Sequence, residues 1–315
     1  MSRKSKKTKI LWAIDPFEQN DEVRKRVFAG LRELALRGAE ITPVYVFNPG
    51  EYGLTGKEIA APWFKQNEPK VKKVVQSYIE DARKESQISI SDPRVLIERR
   101  PSLHRSVECL NTYNKLHGAD MIVVGTHSRK GLARFFIGSF AETLLLYSKI
   151  PVLVIGAHSE SSKIQKIFFP TDFGKLTVPL FNKVLALAKS HEASITLFHV
   201  IPHPAEPIIQ SGVYLFSGTT MTWPEFATAS EERHRKAADR LVQLGKKSGI
   251  SVSVLFDSQP GSTSQLITTH AQKEGASLIA MGAESGVIAS TLLGSVTRQV
   301  VRSAHCPVWV VRLKA

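Results

Sequence analysis

Short apolar runs alternate with amphipathic stretches along nearly the whole chain. Residues 9–14 form an apolar run closed by Asp15 and Pro16, which predicts a buried strand. A helix is expected over 21–37: Asp21 suits an N-cap, Val23, Val27, Leu31 and Leu34 recur at helical spacing, and Gly38 ends it. A strand over 39–47 follows, then a Gly- and Pro-containing loop over 48–64 and a charged amphipathic helix over 69–86. The half closes with a strand at 94–98, a helix at 102–116, a strand at 120–124, a short helix from Ser139 and a strand at 152–155. The second half predicts the same order: strand 166–170, helix 176–190, strand 194–200, a long loop 201–223, helix 224–248, strand 251–257, helix 262–274, strand 277–281 and strand 308–312. Continuous Val/Ile/Leu strands between amphipathic helices mean parallel sheets covered on both faces.

The second half also repeats the motifs of the first. Gly125, Gly138-Ser139 and Pro151 return as Gly282, Gly294-Ser295 and Pro307, each after or before an apolar strand. The expected architecture is therefore α/β, with two tandem flavodoxin-like or Rossmann-like domains, each holding a five-stranded parallel sheet. A polar stretch, Gly-Ala-His-Ser-Glu-Ser-Ser-Lys, marks the boundary. The division is a basic tail over 1–8, domain one over 9–156, a linker over 157–163 and domain two over 164–315.

Length fits that division, since 315 residues exceed one ordinary core. The formal net charge of +14 invites an anionic partner. Five of the cations (Arg3, Lys4, Lys6, Lys7, Lys9) fall in the first nine residues, however, and the rest are interleaved with acids. No zinc-finger, RNA-binding aromatic or basic-region signature accompanies them, so nucleic acid is not the expected partner. No apolar run approaches the roughly 20 residues of a membrane span. Cys109 and Cys306 stand at non-equivalent places outside any CxxC, as expected of reduced thiols in a cytoplasmic protein.

Candidate chemistry gathers at the strand ends, where open parallel sheets bind ligands. Asp15 and Asp172 follow the first strand of each half, and Val46 and Val200 end the second. Glycines at 125 and 282 permit close backbone approach. Gly138-Ser139-Phe140 and Gly294-Ser295-Val296 open helices, whose N-termini favour anions. Both aspartates have a plainer reading as local caps, and the glycines as turns. His199, His203 and His191 do not share a helix face, so no metal site is expected, and no catalytic set is evident.

These elements resemble the universal stress proteins, specifically the tandem two-domain members, over about residues 9–313. ATP-binding members carry G-x2-G-x9-G-[ST]. The first copy here is Gly125-x2-Ser128-x9-Gly138-Ser139, and the second Gly282-x2-Ser285-x8-Gly294-Ser295, each with serine for the second glycine. Gly286 is placed to stand in for the missing glycine, and Arg129, Lys130 and Arg134 bring cations to the first loop alone. Pro170-Thr171-Asp172-Phe173 and His199-Val200 resemble the family's first and second strand ends, beside the nucleotide and its adenine. The resemblance implies an adenine nucleotide alpha hydrolase-like fold and a cytoplasmic stress-response role. It implies ATP, with Mg2+, in at least one half, turnover no faster than slow hydrolysis, and unidentified protein partners. It also implies that the last strands of the halves pair antiparallel, so that one chain imitates a dimer; a further homodimer of chains stays open. Two other readings remain: a nucleotide-free scaffold using the aromatics of the long loops (Tyr52, Trp63, Tyr214, Phe216, Trp223), and a headgroup or anion binder using the basic surface.

Overall fold

Strands without a polar face need cover on both sides, and the computed structural model supplies it. Residues 7–18, 20–49, 61–126, 138–156, 159, 163–201, 214–216, 219–221, 223–283 and 293–313 are described. The first half runs β1 (Lys9–Ala13), α1 (Asp21–Leu36), β2 (Glu40–Phe47), α2 (Ala61–Ser86), β3 (Arg94–Ile97), α3 (Leu103–His117), β4 (Met121–Gly125), α4 (Ser139–Tyr147) and β5 (Val152–Ile155). The second runs β6 (Lys166–Pro170), α5 (Thr177–His191), β7 (Ser194–Val200), β8 (Tyr214–Phe216), β9 (Thr219–Met221), α6 (Trp223–Lys247), β10 (Val252–Asp257), α7 (Thr263–Lys273), β11 (Leu278–Gly282), α8 (Ser295–Ser303) and β12 (Val308–Val311).

Ten strands form one sheet in the order β10-β7-β6-β11-β12-β5-β4-β1-β2-β3. Every neighbour pair is parallel except β12 with β5 at the centre. There Val308 faces Val154, Trp309 faces Leu153 and Val310 faces Val152. The register is symmetric about the Leu153–Trp309 pair, which marks the pseudo-twofold axis. Joining the halves this way buries two edges that separate halves would leave open. Polar contacts reinforce the seam on both faces of the sheet. Arg298 pairs with Glu142 at 3.0 Å between α8 and α4. On the opposite face, Arg37 at the end of α1 donates to the His191 carbonyl of α5 at 3.3 Å.

Two apolar layers sandwich the sheet. One, under α1, α2, α5 and α6, includes Trp12, Phe28, Leu31, Ile79, Phe169 and Phe181. The other, under α3, α4, α7 and α8, includes Leu110, Leu144, Phe168, Phe198, Ile267 and Val300.

Several local expectations are corrected. Asn20, not Asp21, caps α1, its side chain accepting from the Glu22 and Val23 amides. Helix α2 begins at Ala61 and carries Pro69 inside it. An internal proline costs about 3 kcal/mol, yet the extra turns place Phe64 in the core and stack Trp63 on Phe47 at 5.2 Å. Burying aromatic surface of that size offsets the lost backbone bond. Trp63 is thus a packing residue rather than an exposed one. The expected loop over 201–223 contains the antiparallel β8–β9 hairpin. Among the described residues no helix is long and apolar enough to cross a membrane.

Candidate functional site

Both halves place their motif residues at the carboxyl ends of the strands. Each copy shapes that edge differently. In the first half the Asp15 carboxylate accepts from the Phe17 amide at 2.9 Å, the local capping role open to it from the sequence. Gly125 ends β4, where a Cβ would stand 2.8 Å from Val27 Cγ2, so glycine is what lets α1 lie against the strand end. Gly138 caps α4 with φ of 80°, a left-handed value that favours glycine. Ser139 and Phe140 open that helix. Asp15, Gly125 and Phe140 do meet, in a pocket of about 420 Å³ that also touches Trp12, Arg24 and Tyr78. Burial pushes the Tyr78 hydroxyl well above its ordinary pKa.

That pocket opens toward α1 and α2 and includes no residue of β2 or α3. Val46, expected at the adenine end, stands near the end of β2 with its side chain buried. Two residues on, the almost fully buried Asn48 donates its amide to the carbonyls of Arg100 and Ser102 at 2.9 and 3.1 Å and to Ser106 Oγ at 2.9 Å. Those bonds draw the start of α3 onto the end of β2.

The second half gathers its motif residues differently. A pocket of about 770 Å³ brings Asp172, His199, Val200, Gly282 and Val296 together with Thr263 and Ile267 of α7. Asp172 accepts from the Gly174 amide at 2.9 Å, again a local cap, while its side chain still lines the pocket. Gly294 caps α8 and Ser295 begins it, and Thr297 Oγ1 donates to the Gly282 carbonyl at 3.0 Å, tying helix to strand end. Ser128, Arg129, Lys130, Arg134, Ser285 and Gly286 lie outside the described residues, as does most of the 202–222 segment.

Two features of this edge were missed in the sequence. Phe173 has φ of 55°, a strained value for a bulky residue. Its ring lies 5.1 Å from that of His199 and stacks at 5.5 Å on His234 of α6. His199 holds the same loop from beneath: its Nδ1 is 2.7 Å from the Thr171 carbonyl. Burial lowers the pKa of His199, outweighing that bond, and burial first, then Arg233, lowers that of His234. Secondly, Asp257 at the end of β10 is buried and meets His270 Nε2 of α7 at 2.5 Å. Leu96 stands beside Val46 where Asp257 stands beside Val200. An aspartate ending an otherwise apolar strand was the available signal. Among the described residues no group of three or more His, Cys, Asp or Glu side chains is placed to hold a metal ion.

A family model described as the universal stress protein family matches residues 7–156 and again 163–312. The chain belongs to that family, as a tandem two-domain member. Universal stress protein MJ0531 of Methanocaldococcus jannaschii is 24% identical over 171 residues, covering 54% of this chain and 94% of that protein. Among solved structures, a universal stress protein from Archaeoglobus fulgidus aligns with a TM-score of 0.60 at 18% identity, covering 96% of each chain. A putative universal stress protein from Pseudomonas aeruginosa aligns at 0.55 and 15%, covering 98% of this chain and 94% of that one. At such identities the likeness speaks for the fold, and the two-half arrangement of this universal stress protein is shared along its whole length.

Proposed function

We propose that this universal stress protein binds an adenine nucleotide in its second half and acts as a nucleotide-responsive module in the cytoplasmic stress response. One observation carries the reading. The residues marked by resemblance to ATP-binding members (Asp172, Val200, Gly282, Val296) converge on one open pocket at the carboxyl edge of the sheet. The pocket lies at the carboxyl ends of β6, β7 and β11, where open parallel sheets bind ligands. The first turn of α8, from Ser295, provides backbone donors for a phosphate, the Gly294 amide being bound to the Ala283 carbonyl. ATP is the ligand the resemblance implies. Any Mg2+ would enter with its phosphates, and Asp172 is the carboxylate available to it.

Response to the nucleotide has a physical route. The Thr171–Gly174 turn carries Asp172 into the pocket and Phe173 into contact with His199 and His234. A ligand that shifts this turn must shift Phe173, and through it α6, which follows the long 202–222 segment. Partner proteins would read that displacement.

The test is to denature freshly purified protein and identify what it releases by chromatography and mass spectrometry. A single adenine nucleotide per chain, lost in Asp172→Ala and retained in Asp15→Ala, is the expected result. Protein that releases none and shows no heat of binding with added Mg-ATP would remove the reading.

A further inference from the structure

The described lining of the second-half pocket holds a carboxylate, an imidazole and four threonines and no lysine or arginine. Among its described lining residues Asp172 is the one aspartate or glutamate, and there is no lysine or arginine. In sequence, residues 283–297 include no basic residue. Arg298, the next cation, is 3.0 Å from Glu142 across the seam. Lys175 follows Asp172 in the turn before α5 and is not among the lining residues.

His199 adds a second acceptor. It is only 6% exposed and lines the pocket. A carbonyl can only accept, so the 2.7 Å contact with the Thr171 oxygen places a hydrogen on Nδ1. Nε2 then bears a lone pair, and it is buried without a hydrogen-bond partner. Burial that disfavours the charged ring keeps it so at neutral pH. A buried polar atom without a partner is costly, and a ligand that donates a hydrogen bond there removes the cost.

We infer that the second-half pocket selects an adenine nucleoside, or its monophosphate, over the triphosphate. Asp172 and His199 Nε2 accept from hydroxyl or amino donors, of which a nucleoside has several. The N-terminus of α8 supplies roughly half a positive charge, enough to favour one phosphate. Further phosphates would extend toward a carboxylate with no fixed cation in the described wall to offset them. The contrast with the first half is chemical: there the corresponding loop carries Arg129, Lys130 and Arg134 in sequence.

This inference rests on the second-half pocket being the nucleotide site, and one experiment separates the two claims. The full chain is titrated calorimetrically with adenosine, AMP and ATP in chelator-treated, metal-free buffer. Adenosine and AMP should each bind at least about tenfold more tightly than ATP, a gap of about 1.4 kcal/mol. Asp172→Asn keeps an oxygen for the Gly174 amide while removing the charge, so it should fold normally. It should weaken adenosine binding and strengthen ATP binding, narrowing the gap. His199→Phe should weaken adenosine more than ATP. ATP as the tightest ligand would overturn the preference and leave the nucleotide site standing. So would an Asp172→Asn variant whose ATP-to-adenosine ratio matches the parent. Failure of all three ligands to bind would overturn the site itself.

Discussion

The two carboxyl edges of this sheet descend from one repeated pattern and differ mainly at the ends of β2 and β7. In the first half, buried Asn48 knots the end of β2 to the start of α3 through three hydrogen bonds. Tyr45 and Leu96 stand where the second half has His199 and Asp257. In the second half a pocket stands at the strand ends, and His199, which lines it, holds a buried Nε2 without a hydrogen-bond partner. A duplicated fold can thus keep its strand order and seam while the side chains at its two edges diverge. Each edge holds a pocket with a buried nitrogen lacking a hydrogen-bond partner, Arg24 Nε in the first half and His199 Nε2 in the second.

The sharpest challenge to that division is to cut the halves apart energetically. Trp309 is 5% exposed at the pseudo-twofold axis, opposite Leu153. Trp309→Ala should cost about 3–5 kcal/mol in denaturant unfolding, with both halves melting in one transition. A first half that unfolds separately at an unchanged midpoint would show the copies to be independent. Trp309→Phe should be far milder, because the indole Nε1 is buried without a partner and its loss carries no hydrogen-bond penalty.

Next in size is the knot. Asn48→Ala removes three bonds from a buried amide, while the Arg100 and Ser102 carbonyls keep the Ser102 and Ser106 amides as donors, so a loss of about 1–2 kcal/mol is expected. Ligand stoichiometry should not rise, because Val46 remains core rather than lining. A second bound nucleotide in this variant would show that Asn48 alone closes the first half.

Much of this was legible in the sequence, and the failures share a cause. The proline-led final strands, recurring at Pro151 and Pro307, announced the repeat, and resemblance to the family gave their antiparallel pairing. The helix starts at Gly138-Ser139 and Gly294-Ser295 were likewise visible, since they rest on local turn chemistry. Pro69 misled because proline is a local signal for a helix start, whereas the burial of Trp63 and Phe64 against Phe47 is a tertiary one. The β8–β9 hairpin was hidden inside a segment whose Pro and Gly content pointed to a loop. Val46 was matched to Val200 by position, yet what lies above a strand end depends on its neighbours in space. The Phe173–His199–His234 contacts join residues on three separate elements, and Asp257–His270 joins two. No window of sequence displays them together.

Acid offers a gentler probe of the same asymmetry. His191, His199 and His234, all in the second half, have pKa values lowered chiefly by burial from the ordinary 6.5. Each folded-state pKa lies below the unfolded one, so below pH 6.5 the unfolded chain binds the additional protons. Their stabilising contribution is full above that pH and is lost progressively as pH falls below it. His104 and His117 of the first half are exposed. Unfolding free energy should therefore decline on moving from pH 7 to pH 5.5, and less steeply in a His199→Phe/His234→Phe double variant. An equal slope in both proteins would remove these two histidines as the source.

The smallest expected effect concerns the seam that the halves share. Arg298 and Glu142 approach to 3.0 Å, and both side chains are about a third exposed. Exposed pairs are screened by solvent and salt and contribute about 0.2–1 kcal/mol. Glu142 also stands in the first turn of α4, where a carboxylate interacts favourably with the helix dipole. Removing it should thus cost slightly more than removing Arg298. The Arg298→Ala and Glu142→Ala single variants and their double-mutant cycle should return a coupling below about 1 kcal/mol, weakening further in concentrated salt. Such a value would leave the seam dependent on the β5–β12 ladder and its apolar cover. A coupling of several kcal/mol that persists in salt would instead make the ion pair a principal tie between the two halves.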